Sequence, residues 1–228
     1  MMNPGTSTTN PHHDQPVMHA GEPLETAQSA MLMVHGRGAT AADILSLAQE
    51  LPQPGYAYLA AQASGNTWYP FSFLAPLADN EPWLSSALAK LASVIDELSR
   101  LGLPPERTIL LGFSQGACLA LEFAARNAQR FAGLVGLSGG LIGPPETPRA
   151  YKGSLAGTPV FLGCSPTDPH IPQARVLESA QVMEGLGAQV TTRLYPGLGH
   201  AINQDEIMFV RNMMSGLTPP AAKASPPK

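Results

Sequence analysis

Short, unbroken apolar runs alternate along this chain with longer segments whose apolar residues recur every three or four positions. Ala30–His35 (AMLMVH) is a run of the first kind, the pattern of a strand covered on both faces. Tyr56–Ala61, Arg107–Phe113, Phe131–Leu137, Thr158–Cys164 and Gln189–Tyr195 read as further strands. Helical patterns lie between them. Thr40 caps a predicted helix running through Glu50, with Asp43 in its first turn. Pro82 opens another that reaches Arg100, in which Leu84, Leu88, Leu91, Ile95 and Leu98 share one face. Gly102 and the pair Pro104–Pro105 end it. Gln115–Asn127, Pro172–Gly185 and Asn203–Met214 complete the helices. Alternation of this kind implies right-handed βαβ units: an α/β fold with a mostly parallel central sheet and helices on both faces. Ligands of such sheets bind beyond the carboxyl ends of the strands. No internal repeat interrupts the pattern.

Length and charge narrow the function. A chain of 228 residues fits one domain. Residues 16–217 are expected to form it. Residues 1–15 (rich in Asn, Thr, Pro and His) and 218–228 (Pro, Ala and Lys) are expected to be flexible ends, because neither can bury much apolar surface. The net charge of −4 argues against a nucleic-acid partner, which needs a basic stripe to displace counterions. No apolar run is long enough to span a membrane. The polar N-terminus lacks the apolar core of a secretory signal. Two cysteines, Cys118 and Cys164, make neither a disulfide framework nor a zinc cluster, so a cytoplasmic setting is expected.

The chemistry concentrates at one junction. Gly112-Phe113-Ser114-Gln115-Gly116 matches the G-x-S-x-G nucleophile elbow, in which a serine stands on a sharp strand-to-helix turn with its hydroxyl exposed. A second match, Gly136-Leu137-Ser138-Gly139-Gly140, separates from the first by its context. Ser114 has a strand before it and an uninterrupted helical pattern after it. Ser138 is followed by Gly-Gly-Leu-Ile-Gly-Pro-Pro, which cannot continue as a helix, so it reads as a tight turn at a strand end.

A serine hydroxyl needs a base, and the base needs an orienting acid. In α/β-hydrolases these follow in the order serine, acid, histidine, each after a later strand. Asp168 and His200 satisfy that order, just past the strands that end at Cys164 and Tyr195. Of the rival histidines, His35 precedes the serine and is expected to shape its loop, and His170 to line the cleft. The oxyanion of an acyl-transfer intermediate requires two backbone N–H donors. Gln115 supplies one by its position after the nucleophile. His35-Gly-Arg-Gly-Ala39 ends an earlier strand, and the Arg37 N–H is the expected second donor.

The segments HGRGA (35–39), WYPFSF (68–73), GFSQGA (112–117), GLSGG (136–140), DPHIP (168–172) and YPGLGH (195–200) together resemble the phospholipase/carboxylesterase family of α/β-hydrolases, relatives of the acyl-protein thioesterases. The resemblance spans residues 30 to 214. It implies a Ser114–Asp168–His200 triad, no cofactor or metal, hydrolysis of carboxylic or thio esters, and a homodimer. The thioesterase branch generally carries Leu and then Gly-Asp after the first His-Gly. Arg37, Gly38 and Ala39 stand there instead, so small to medium acyl esters are the expected substrates. Trp68, Tyr69, Phe71, Phe73 and Leu74 are read either as a lid or acyl pocket or as loop residues packing on the sheet edge. Trp68, Tyr69, Phe73, Leu74, His170 and Ile171 are the expected substrate-binding residues. Cys118, one helical turn past Ser114, is expected to pack rather than react. The function expected is that of a serine carboxylesterase acting through an acyl-enzyme. A thioesterase or lactone hydrolase on the same triad is the neighbouring reading, and a non-catalytic ligand-binding protein is the reading of another class.

Overall fold

Met31 and Met33 point to one side of the strand that carries them, and Ala30, Leu32 and Val34 to the other; all five are fully buried. A strand hides both rows only where helices cover both faces of its sheet. The computed structural model of the chain, which describes residues 10–217, has this arrangement. Among the described residues seven strands form one sheet: β1 (Val17–Gly21), β2 (Ser29–Val34), β3 (Tyr56–Ala61), β4 (Thr108–Phe113), β5 (Gly133–Leu137), β6 (Pro159–Cys164) and β7 (Gln189–Leu194). Their order is β1-β3-β2-β4-β5-β6-β7. Only β1 runs antiparallel to its neighbour.

The described residues also form α-helices that flank the sheet: α1 (Ala41–Leu45), α2 (Trp83–Arg100), α3 (Gln115–Arg126), α4 (Gln173–Gly185) and α5 (Gln204–Leu217). Helices α2, α3 and α4 pack on one face, against Leu32, Leu59, Leu110 and Leu162. Helices α1 and α5 cover the other, against Met33, Tyr58, Leu111 and Phe161. The mostly parallel α/β sheet with helices on both faces, expected from the alternation of runs, is therefore the arrangement observed. Among the described residues no helix is long and apolar enough to cross a membrane.

Three details depart from the sequence reading. β1 was not anticipated: Met18 and His19 are exposed and only Val17 and Ala20 are half-buried, so this edge strand leaves no apolar signature. The helix after Thr40 is shorter than its pattern. Thr40 and Asp43 form a reciprocal capping box, but the Ser46 hydroxyl then donates to the Asp43 carbonyl at 2.7 Å and the chain tightens into a 3-10 turn over Ser46–Glu50. The expected flexible end at 1–15 also needs correcting where it can be seen. His12 is fully buried. Its N–H donates to Ser86 Oγ at 2.9 Å, its ring Nδ1 accepts the Ser64 N–H at 3.0 Å, and Nε2 bonds the Trp68 carbonyl at 2.9 Å. One buried histidine in a polar stretch has no hydrophobic pattern to announce it. Residues 1–9 and 218–228 lie outside the described residues.

Candidate active site

The turn from β4 into α3 is built on two glycines that tolerate no side chain. A Cβ on Gly112 would run into the backbone of Gly116, and one on Gly116 into the Val34 carbonyl. Strand and helix can therefore approach closely enough to force Ser114 to φ 55°, ψ −120°, a left-handed conformation unusual for a residue with a side chain. Gln115, the first residue of α3, stands where helical N–H groups have no intrahelical acceptor. Ser138 also takes a positive φ at the end of β5, but it is fully buried and does not line the cleft.

Asp168 follows β6 and His200 follows β7, so the parallel sheet brings both to the edge that carries Ser114. Ser114 Oγ lies 2.8 Å from His200 Nε2, and His200 Nδ1 lies 2.7 Å from Asp168 Oδ2. The other carboxylate oxygen, Oδ1, accepts the N–H groups of His170 (2.8 Å) and Ile171 (3.0 Å). Burial would raise the Asp168 pKa, but the bond to His200 and these two N–H groups outweigh it and hold the carboxyl below its usual value. Asp168 is thus an ionised acceptor at neutral pH. An acceptor at Oδ2 requires the proton of neutral His200 to sit on Nδ1, which leaves the Nε2 lone pair to receive the Ser114 O–H.

The cleft above Ser114 has a volume of about 510 Å³. Of the residues expected to bind substrate, Tyr69, Phe73, His170 and Ile171 line it, together with Arg37, Gln115 and His200. Trp68 and Leu74 do not. Trp68 is fully buried between the rings of His12 and His35, and its indole N–H donates to the His35 carbonyl at 2.9 Å; Leu74 packs against the core. Tyr69 and Phe73 of the aromatic segment therefore line the cleft, while Trp68 and Leu74 pack against the core. Pro70, Phe71, Ser72 and Cys118 also line the cleft, and of these Phe71 is 56% exposed. His35 shapes its loop as expected, accepting the Ala63 N–H at 3.1 Å from a fully buried ring. Burial pushes the Cys118 thiol up to about 12, so it remains protonated.

Two supports escaped the sequence reading. The Gln115 side chain accepts the Trp68 N–H at 2.9 Å and donates to the Tyr69 carbonyl at 2.8 Å. Buried Asn80 accepts the Phe71 N–H at 2.9 Å and donates to the Ser72 carbonyl at 3.0 Å. An asparagine in Ala-Asp-Asn-Glu-Pro is indistinguishable in sequence from a turn former, and only the fold reveals what it holds. No group of three or more His, Cys, Asp or Glu side chains placed to hold a metal occurs among the described residues.

Glu206 underlies the His200 loop. Its carboxylate accepts the Asn203 N–H at 2.9 Å, and Asn203 Oδ1 accepts the Glu206 N–H at 3.0 Å, a reciprocal cap at the start of α5. Its other oxygen presses on Gly163 of β6, where a Cβ would collide with it. Burial pushes Glu206 up to about 7, opposed by the Asn203 bond. The folded state therefore holds a proton that the unfolded chain releases near about 4.3, and stability falls as pH rises through that interval. Glu206→Gln, which cannot ionise, should match wild type in Tm near pH 4 and exceed it at pH 8. Thermal melts across that range check this; a constant difference would show that ionisation of Glu206 is not the cause.

A mostly parallel seven-stranded sheet, a serine on the strained β4–α3 turn, and an acid and a histidine after β6 and β7 together define an α/β-hydrolase. The chain belongs to the phospholipase/carboxylesterase family, which matches residues 17–217. The crystal structure of a phospholipase/carboxylesterase from Dyadobacter fermentans is 44% identical, superimposes with a TM-score of 0.86, and is matched over 89% of this chain and 97% of its own. Acyl-protein thioesterase 1 of Gibberella zeae is 33% identical over 121 residues, 52% of this chain; the chain spans about half of that relative's length, 52%. Acyl-protein thioesterase 1 of Saccharomyces cerevisiae is 26% identical over 219 residues, 84% of this chain and 96% of that protein.

Proposed function

We propose that this chain is a serine carboxylesterase that hydrolyses small to medium acyl esters through an acyl-enzyme. The observation that carries the reading is the continuous hydrogen-bond relay from Ser114 Oγ through His200 to Asp168 at the floor of an open cleft. In this mechanism His200 Nε2 takes the Ser114 proton as Oγ attacks the ester carbonyl. The N–H groups of Gln115 and Arg37 receive the oxyanion. His200 returns the proton to the departing alcohol, and water then releases the acid by the same steps in reverse. Asp168 holds the productive tautomer and stabilises the imidazolium. No cofactor enters any step.

Thioesters are the second reading, favoured by the two relatives named as acyl-protein thioesterases. The two chemistries share every residue of the site and differ in the leaving group. The chain is proposed to act in the cytoplasm, a setting supported by two buried free cysteines. A homodimer is proposed as well, supported by the low share of charged residues, 13% against about 25% in ordinary soluble proteins. Sedimentation as a species of one 23.9 kDa chain would rule the dimer out.

The test of the activity is a fluorophosphonate probe followed by mass spectrometry, with rates on p-nitrophenyl acetate, butyrate, octanoate and palmitate. Labelling should fall on Ser114, and kcat/KM should be highest for the shorter acyl chains. Absence of labelling would remove the serine-hydrolase reading. A palmitate optimum would replace the small-acyl one.

A further inference from the structure

Arg37 presents a fixed positive charge at the mouth of the cleft. Its Nη1 donates to the Pro70 carbonyl at 2.8 Å, its Nη2 donates to the Phe71 carbonyl at 2.6 Å, and the guanidinium carbon lies 6.0 Å from the Tyr69 ring centroid. These partners orient the group, but they are dipoles and a ring, and none cancels its charge. Elsewhere in the protein Arg126, Arg149, Arg175, Arg193 and Arg211 each pair with a carboxylate, while Arg100, Arg107 and Arg130 do not but lie away from the cleft. Arg37 has no such partner among the described residues. No Asp or Glu lines the cleft, and the carboxylate below it, Asp168, is fully buried and turned to His200. In a chain of net charge −4 the mouth of this cleft is thus locally cationic.

The placement is close to the chemistry. Gly36 lies against the nucleophile, since a Cβ there would sit 3.3 Å from Ser114 Cβ, and Arg37 is the next residue. Two of the five guanidinium donors are engaged by the Pro70 and Phe71 carbonyls, and the planar fork offers the rest to an incoming ligand. We propose that Arg37 binds a carboxylate on the substrate, so that the ester hydrolysed carries an anionic group a few bonds from the scissile carbonyl. This rests on the esterase reading above and narrows its substrate class to acidic esters. The carboxylate belongs to a half-ester of a short dicarboxylic acid when it is on the acyl side, or to an acylated hydroxy acid when it is on the alcohol side.

The experiment pairs charged and neutral esters of matched length: p-nitrophenyl hemisuccinate against p-nitrophenyl butyrate for the acyl side, and the butyryl ester of glycolate against ethyl butyrate for the alcohol side. Wild type should favour the charged member of one pair, and that pair identifies the side. Arg37→Gln keeps the backbone N–H and an amide donor but removes the charge. It should lower the charged-to-neutral ratio of kcat/KM in that pair by about tenfold, the size expected for losing a charge-assisted bond, chiefly through KM. Arg37→Lys should fall between the two. Reading the ratio cancels any loss common to both esters from disturbance of the oxyanion loop. Equal losses on both members would overturn the proposal and leave Arg37 as a tie between its loop and residues 70–71. A wild type without preference in either pair would overturn it as well. Failure of the esterase reading looks different: neither member of either pair is turned over, and the fluorophosphonate probe does not label.

Discussion

Ser114→Ala should abolish fluorophosphonate labelling and lower kcat by about 10⁴- to 10⁶-fold, the range found when the nucleophile of such a relay is removed. The loss follows from the absence of any substitute. The Cys118 thiol, also in the cleft, is pushed up to about 12 by burial and is not a thiolate at working pH. The decoy Ser138 is fully buried away from the cleft. The fold should be unaffected. Alanine carries the same Cβ through the strained φ of 55°, and the lost bond to His200 is only partly buried. Tm should therefore stay within a few degrees of wild type, on the scale of one hydrogen bond, about 1 kcal/mol. Retention of esterase activity by a well-folded Ser114→Ala protein would transfer the chemistry to another residue.

Asp168→Asn should cost about 10⁴-fold in kcat with little change in KM. The asparagine oxygen can keep the His170 and Ile171 N–H bonds, which turns its NH₂ toward His200 Nδ1. Nδ1 must then accept, the ring proton moves to Nε2, and Nε2 can no longer receive the Ser114 O–H. Structure is kept while the tautomer is reversed. Stability provides an independent readout. Because the folded-state pKa of Asp168 is depressed, its contribution is present above the unfolded carboxylate value of about 3.9 and is lost as pH falls through the folded value. Wild type should lose part of its Tm advantage over Asp168→Asn on acidification below that range. Steady-state kinetics with melts at neutral and acid pH check both halves. A variant with near-normal kcat would show that Asp168 does not orient the base.

Much of the site could be read along the chain because its parts are local. An elbow needs small residues at 112 and 116 and a strand-to-helix switch between them, and both are properties of a short segment. Asp168 and His200 each follow a predicted strand, and the order serine, acid, histidine singled them out as candidates before any distance was known. The supports were not local. His12, Asn80 and the Gln115 side chain hold the 64–72 segment through bonds spanning 8 to 56 residues in sequence. Each is a polar residue whose partner is a backbone group, and a backbone group carries no sequence signature. The same limit explains Trp68 and Tyr69. They are adjacent, aromatic and equally suggestive in sequence, yet one is walled in by His12 and His35 while the other lines the cleft.

The sequence by itself determined the α/β class, the order of the helices and of every strand but the edge strand β1, and which serine, acid and histidine come together, because periodicity and parallel-sheet topology act through whole segments at once. Tertiary structure alone decided how the cleft is walled, that the chain at residues 10–15 packs against α2, and that Arg37 faces the cleft without a counter-ion. Those outcomes depend on which groups meet across long separations. That depends on packing rather than on pattern.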